Sequence, residues 1–401
     1  MSTFFLSRSS ARKRLKHPVA KRALRFENLE NRVMMTVEPT LLASPGFVGP
    51  MPEPVPVQVA APVPAATEQV RANSATPPSA AAANAATPAF QAELRATPQS
   101  SKALVDGGMT HGTIRAPGQV DTYTFDTTKT GERVEIASTT TTGDVRLVVR
   151  VFDPRGREVP LDSDGRYRLP NPGQYVVQVQ DLYLRGTGSY KIGFERISRP
   201  SADAKPVQWG KVQSGTIDES LKKDQYKFQT GRPNVFVEIA STTTTGDARL
   251  VIRVFDPLGD EVPLDSGGRY RLPNPGQYVV QVQDLYLRGT GSYKIGFERI
   301  NPPSPDVRQL FLGQVRSGRI TQLLQKDQYS VETTRNKQTI ELTQTKGSGA
   351  AVYFVYNVRG NVVTSGFVSN KVSLNLGVGK YVIQVQDRWL KDTFSYTIRW
   401  R

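Results

Sequence analysis

The 401-residue sequence contains no cysteine and only two histidines. The first absence excludes disulfides, thiolate metal sites, cysteine nucleophiles and dithiol redox chemistry. The second leaves almost nothing for a histidine metal site or a Ser-His-Asp triad. His111 lies in a repeated region, but its counterparts are Ser214 and Ser317, so no repeated catalytic role fits it. No run of about 18 apolar residues occurs, so no transmembrane helix is expected. A GK[ST] phosphate loop and an HExxH pair are also missing. Apolar residues make up 38% of the chain, against roughly 45–50% in globular proteins. Part of the chain is therefore expected to build no core.

Charge is abundant but uneven. The formal net charge is +16. Residues 1–36 carry +7 and residues 304–401 carry +8, whereas 101–303 is nearly balanced at +3. Such an excess steers anions without specifying a partner.

Three regimes follow along the chain. Residues 1–36 form a basic leader that lacks the 7–15-residue apolar stretch of an ordinary secretory signal. Residues 37–102 are rich in Ala, Pro, Ser and Thr, as in VPVQVAAPVPAATEQ. That composition cannot offset its ordering entropy and predicts a disordered linker. The remainder repeats. The 62 residues from Ile136 recur from Ile239 with five differences: Val145/Ala248, Val149/Ile252, Arg155/Leu258, Arg157/Asp260 and Asp164/Gly267. A diverged third copy follows at the same offset of 103, aligning Asp121, Asp224 and Asp327 and, further on, Tyr190, Tyr293 and Tyr396. A period of this size is a whole domain. The predicted repeats span 103–200, 201–303 and 304–401, with Pro-rich joints near 199–205 and 301–306 at which proteolysis would separate them.

Within a copy, apolar residues alternate with period two, as in Tyr175, Val177, Val179 and in Tyr190, Ile192, Phe194. This is the mark of half-buried strands. Turn chemistry punctuates them at Asp153-Pro154-Arg155-Gly156 and Asn171-Pro172-Gly173. About eight short strands and no helical period predict an all-β chain of three tandem jelly-roll-like antiparallel β-sandwiches. Asp121, Asp224 and Asp327 are expected to be structural and to accept backbone N–H groups. Tyr175, Tyr278 and Tyr381 are expected to form tyrosine corners.

The first copy carries an opening Gly-x-Ile (Gly112-Thr113-Ile114), Asp121-x-Tyr123-x-Phe125, Phe152-Asp153-Pro154-x-Gly156, Pro172-Gly173-x-Tyr175-x-Val177-x-Val179 and Ser189-Tyr190-x-Ile192; the second repeats them, and the third departs with Val331 for the Phe and Tyr356-Asn357-Val358-Arg359-Gly360 for the Asp-Pro-x-Gly turn. With these motifs each copy resembles the bacterial pre-peptidase C-terminal domain, a sandwich of secreted proteins. The leader segment Leu24-Arg25-Phe26-Glu27-Asn28-Leu29-Glu30-Asn31-Arg32-Val33-Met34-Met35 is similar to the N-terminal segment of planctomycete surface and secreted proteins. The two resemblances imply export and an extracellular or cell-surface location.

One loop repeats an aromatic and a cation two residues apart: Tyr183 and Arg185, Tyr286 and Arg288, Trp389 and Lys391. An aromatic plane beside a cation suits stacking on a sugar or peptide and pairing with an anionic group. These six residues are the candidate ligand-binding positions. The alternative is an aromatic that caps its own sandwich while the cation stays in solvent. Asp162-x-Asp164-Gly165 offers carboxylates for calcium or, equally, a turn. Its counterpart in the second copy, Asp265-x-Gly267-Gly268, lacks one carboxylate, and that in the third, Ser365-Gly366-Phe367-Val368, has none. No catalytic residue, metal ligand or cofactor is assigned.

The sequence thus predicts a non-enzymatic exported repeat protein acting in adhesion or scaffolding, with polysaccharide, cell-envelope or extracellular protein as partner and no small-molecule substrate. Alternatives are an accessory module that binds substrates for separate enzymes and, further off, a nucleic-acid binder through the basic third repeat.

Overall fold

The computed structural model describes residues 101–368 and 371–401. The leader, and the linker up to residue 100, lie outside the described residues. The rest is all-β, in three repeated pairs of sheets.

Repeat 1 consists of β1 (Lys102–Ala103), β2 (Gly108–Ile114), β3 (Val120–Thr127), β4 (Arg133–Thr140), β5 (Leu147–Phe152), β6 (Glu158–Val159), β7 (Tyr167–Arg168), β8 (Gly173–Asp181) and β9 (Gly188–Arg196). Strands β2-β9-β4-β7 make one sheet and β1-β3-β8-β5-β6 the other. From β2 to β9 the chain passes between two antiparallel four-stranded arrays in jelly-roll order. The other two repeats have the same order. The ninth strand, β1, is an addition to the eight expected. Lys102 and Ala103 pair in parallel with Tyr123 and Thr124, too short a segment to leave a periodic signal.

The alternation in β8 produces the core directly. Tyr175, Val177 and Val179 are fully buried, and Val176, Gln178 and Gln180 on the other face are half-buried. The Phe125 and Tyr175 rings stack with centroids 5.2 Å apart, and Phe194 packs at 4.7 Å on Phe125. The corner forms as expected at two of the three positions. The Tyr175 and Tyr278 hydroxyls donate to the Asn171 and Asn274 carbonyls at 2.7 Å. Tyr381 instead lines a cavity at the second joint.

The three aligned aspartates are structural, but their partners differ from those expected. The Tyr190 hydroxyl donates to Asp121 Oδ2 at 2.6 Å and lies 2.7 Å from the Tyr123 hydroxyl. The same relay joins Tyr293 to Asp224 and Tyr226, and Tyr396 to Asp327 and Tyr329. Long-range side-chain bonds thus take the place of the local backbone bonds. The relay also explains the Gly-x-Ile motif. A Cβ on Gly112 would stand 2.2 Å from the Tyr190 ring, and one on Gly215 or Gly318 would meet Tyr293 or Tyr396 as closely.

The repeats are interlocked at their joints. The outer face of β4 meets the outer face of the five-stranded sheet of repeat 2. Glu135, on β4, receives Lys223 Nζ at 2.5 Å, Arg253 Nη1 at 2.6 Å and Gln281 Nε2 at 3.2 Å, all from repeat 2. Arg166 of repeat 1 is buried too and reaches Glu261 of repeat 2 at 2.6 Å. Ile197, Phe255 and Val279 form an apolar cluster beside them. The second joint repeats the plan with one change. Glu238 takes Lys326, Gln384 at 2.9 Å and, where Arg253 stood, the Tyr356 hydroxyl at 2.6 Å. The Pro-rich connections are pinned at one residue each: Ser201 and Ser304 are buried, and their hydroxyls donate to Glu195 and Glu298 at 2.8 and 2.7 Å.

Candidate functional site

The candidate loop begins where β8 ends in Asp181. That carboxylate is buried and organises the turn. Its Oδ2 accepts the N–H groups of Tyr183, Arg185 and Gly186, each at 3.0 Å, and its Oδ1 accepts that of Arg146 at 2.7 Å. The amides of Gly186, Arg146, Arg185 and Tyr183 hold the Asp181 carboxyl well below the usual carboxylate range. Asp284 and Asp387 organise the corresponding loops through the amides of Tyr286 and Arg288, and of Trp389 and Lys391.

Held in this way, the loop places Leu184, Leu287 and Leu390 in the left-handed region, with φ of 58°, 56° and 56°. An L-residue with a side chain adopts that conformation at a cost of about 1–2 kcal/mol. Four carboxylate bonds offset it at Asp181 and Asp284, and three at Asp387. The aromatic beside each leucine points outward: Tyr183, Tyr286 and Trp389 are 52%, 62% and 46% exposed. In repeats 2 and 3 the loop also abuts the preceding joint. The Leu287 and Leu390 carbonyls accept the N–H groups of Leu221 and Leu324 at 2.9 Å. A Cβ on Gly296 of repeat 2 would lie 3.2 Å from the Leu324 carbonyl oxygen, so this glycine lets the turn approach closely.

Aromatic and cation come together unequally. Arg185 lies 5.3 Å from the Tyr183 ring centroid, and Arg146 lies 5.6 Å from it. Over Trp389 the cation is Arg388 at 4.4 Å, which also lies 5.0 Å from the Phe367 ring. Among the described residues no cation lies over Tyr286, and neither Arg288 nor Lys391 covers its own aromatic. Arg146, Arg388 and Phe367 are contributors that the two-residue spacing did not indicate. The carboxylate that builds the loop was missed in the sequence; its signal is the alignment of Asp181, Asp284 and Asp387 at the offset of 103.

Asp162 and Asp164 are engaged as a turn. Asp162 Oδ1 accepts the amides of Asp164 and Arg166 at 2.9 and 2.8 Å, and Asp164 faces the Arg166 guanidinium at 3.5 Å. No helix among the described residues is long and apolar enough to cross a membrane.

No family model matches the chain, and no curated protein does. Among solved structures, similarity is found to a DUF4785 family protein from Legionella pneumophila, at 12% identity over 72% of this chain and 88% of that one, with a TM-score of 0.14. An arabinofuranosyltransferase from Mycobacteria matches at 11% identity over 76% of this chain and 33% of its own, with a TM-score of 0.17. A chain of the lipid-containing bacteriophage PM2 matches at 9% over 73% of this chain and all of its own, with a TM-score of 0.13. Superpositions this poor carry no argument about function.

Proposed function

We propose that the chain is a non-enzymatic, exported repeat protein that serves in adhesion or scaffolding at the cell envelope. Each repeat presents its aromatic loop to a polysaccharide or an extracellular protein. The observation that carries this reading is a half-exposed ring on a turn fixed by a buried carboxylate, present three times at Tyr183, Tyr286 and Trp389. Rigid loops with outward aromatics suit weak, shape-tolerant contacts. Three such contacts on interlocked repeats reinforce one another by effective concentration. Export rests on the leader's likeness to planctomycete surface proteins and on the likeness of each repeat to the pre-peptidase C-terminal domain.

The test is retention of the purified chain on envelope polysaccharide, on soluble polysaccharides and on extracellular protein, compared with a Tyr183→Ala, Tyr286→Ala, Trp389→Ala variant. Envelope binding that the variant loses supports the scaffold. Selective binding to a soluble polysaccharide supports the accessory role instead. Equal retention of both proteins rejects the loops as the site.

A further inference from the structure

Repeats 1 and 2 share an arginine that ends the ninth strand, buried in repeat 1 as Arg196 and half-buried in repeat 2 as Arg299. In repeat 1 every side of this guanidinium is satisfied. Its Nε donates to Asp106 Oδ2 at 3.0 Å, its Nη1 to Glu132 Oε1 at 2.8 Å and its Nη2 to the Asp126 carbonyl at 2.6 Å. Glu132 receives Arg199 as well, at 2.7 Å.

In repeat 2 this shell is gone although the arginine remains. At the offset of 103, Asp106 becomes Trp209, Glu132 becomes Val235 and Arg199 becomes Pro302. Arg299 makes no ion pair among the described residues, and its buried Nε has no hydrogen-bond partner. Its guanidinium lies 5.3 Å from the Trp209 ring centroid. Burial, with the charge of Arg232 nearby, lowers its affinity for its proton. The vacated space is a cavity of about 250 Å³, walled by Trp209, Phe228, Thr230, Arg232, Val235 and Arg299. Arg232 and Pro302 are shared with an adjoining cavity of about 340 Å³. There Lys380 is paired with Glu332 at 3.3 Å, which leaves the half-buried Arg299 and the exposed Arg232 as the lining cations with no ion pair among the described residues.

A half-buried guanidinium whose buried Nε has no partner leaves part of its desolvation uncompensated, and a guanidinium matches a carboxylate in two parallel bonds. We propose that the cavity between Trp209 and Arg299 is a binding site for a carboxylate-bearing ligand. The ligand's carboxylate takes the place that Asp106 and Glu132 hold in repeat 1. Its body rests on Val235, Phe228 and the indole. The cavity falls below the roughly 300–1,000 Å³ of drug-sized pockets, so the ligand is a small organic acid or a single acidic sugar unit of a longer chain. This site is separate from the aromatic loops and does not depend on their role.

The test is calorimetry on the full chain with two matched pairs, benzoate against benzamide and glucuronate against glucose. The proposal expects at least one acid to bind, with its neutral partner about tenfold weaker or more, equivalent to roughly 1.4 kcal/mol. Benzoate alone points to an organic acid, and glucuronate alone to an acidic sugar. Arg299→Gln should remove binding and leave the repeat folded. Val235→Glu restores the carboxylate of repeat 1. It should raise the melting temperature without ligand and also abolish binding. No binding by either acid, equal binding of acid and neutral partner, or binding that survives Val235→Glu would overturn the proposal.

Discussion

Lys223 reaches back 88 positions to place its ammonium 2.5 Å from the Glu135 carboxylate, and both side chains are buried between repeats 1 and 2. Lys326 pairs with Glu238 in the same way at the second joint, also 88 positions apart. The joints are therefore charged cores. Burial opposes ionisation of Glu135, but Lys223 and Arg253 outweigh it and bring its pKa to about 2.

Removing one member of such a pair strands the other charge. Lys223→Met should destabilise the chain by about 3 kcal/mol, the lower end of the range for breaking a buried pair, because Arg253 still faces Glu135. The double variant Lys223→Met, Glu135→Gln should recover much of that loss. Urea denaturation of the three proteins measures both effects. A single variant as stable as the parent would mean that the joint is held by its apolar cluster of Ile197, Phe255 and Val279 alone.

Protease access gives a second view of the joints. Ser201 and Ser304 are buried and hydrogen-bonded, so native digestion with proteinase K, which is not confined to the Arg199-Pro200 and Lys205-Pro206 bonds that trypsin leaves uncut, should not release single repeats. Lys223→Met should open the first joint to cleavage. Early appearance of repeat-sized fragments from the parent protein would contradict the packed joint.

Two further carboxyls behave in the opposite sense to Glu135. Burial pushes Glu195 and Glu298 up to about 8 despite their serine partners. A raised folded-state pKa contributes stability that is complete below the ordinary value near 4.5 and is lost as pH rises through about 8. Glu135 is depressed, so its contribution is present above about 4.5 and lost as pH falls toward 2. Denaturation midpoints should therefore decline between pH 5 and pH 9, and Glu195→Gln, Glu298→Gln should flatten that decline. The same slope in parent and double variant would remove these two groups as its cause.

Much of the sandwich was legible because its signals are local. The alternation of Tyr175, Val177 and Val179 is a two-residue pattern, and Asp153-Pro154 is a turn within itself. The joints were not legible, for a physical reason. Glu135, Lys223 and Gln281 occupy outward strand positions, where charged and polar residues normally signal solvent. Only stacking of a second sheet turns that face into a core. The five differences between the near-identical copies carry a trace of it. Asp260 replaces Arg157 and pairs with Arg133 of the preceding repeat, whereas Arg157 pairs with Asp153 inside its own turn. The aromatic loops were visible as a repeat, but not their left-handed leucines, since leucine does not mark that conformation.

The tyrosine relay makes a prediction about Gly215. A Cβ there would lie 2.2 Å from the Tyr293 ring, and that ring cannot move without breaking its bonds to Asp224 and Tyr226. Gly215→Ala should cost about 1–3 kcal/mol as an overpacked core. Asp224→Ala should cost a similar amount, about 1–3 kcal/mol, by leaving the buried Tyr293 hydroxyl short of an acceptor. Because both act on one contact, their combined effect should be less than additive. Thermal unfolding of the two single variants and the double measures the coupling, and strict additivity would dissociate the glycine from the relay.

The aromatic loops supply the test that bears on function. Tyr183, Tyr286 and Trp389 are about half exposed, and none belongs to a core cluster. Their loops are shaped by Asp181, Asp284 and Asp387 through backbone amides, which an alanine at the aromatic position retains. The triple alanine variant should therefore unfold within about 0.5 kcal/mol per site of the parent, as surface substitutions do. Its binding to envelope polysaccharide should fall far more, since a stacked aromatic contributes on the order of 1–3 kcal/mol by analogy with base stacking. Asp284→Ala separates geometry from the ring itself. It keeps Tyr286 but releases the amides of Tyr286, Arg288 and Gly289. Leu287 then keeps only the backbone bonds of its N–H to residue 284 and of its carbonyl to Leu221, so the turn loosens and this change should weaken binding while Tyr286 is still present. If Asp284→Ala destabilises the repeat yet leaves binding intact, loop shape is irrelevant to recognition. If the triple variant unfolds, the three rings serve the sandwiches and not a ligand.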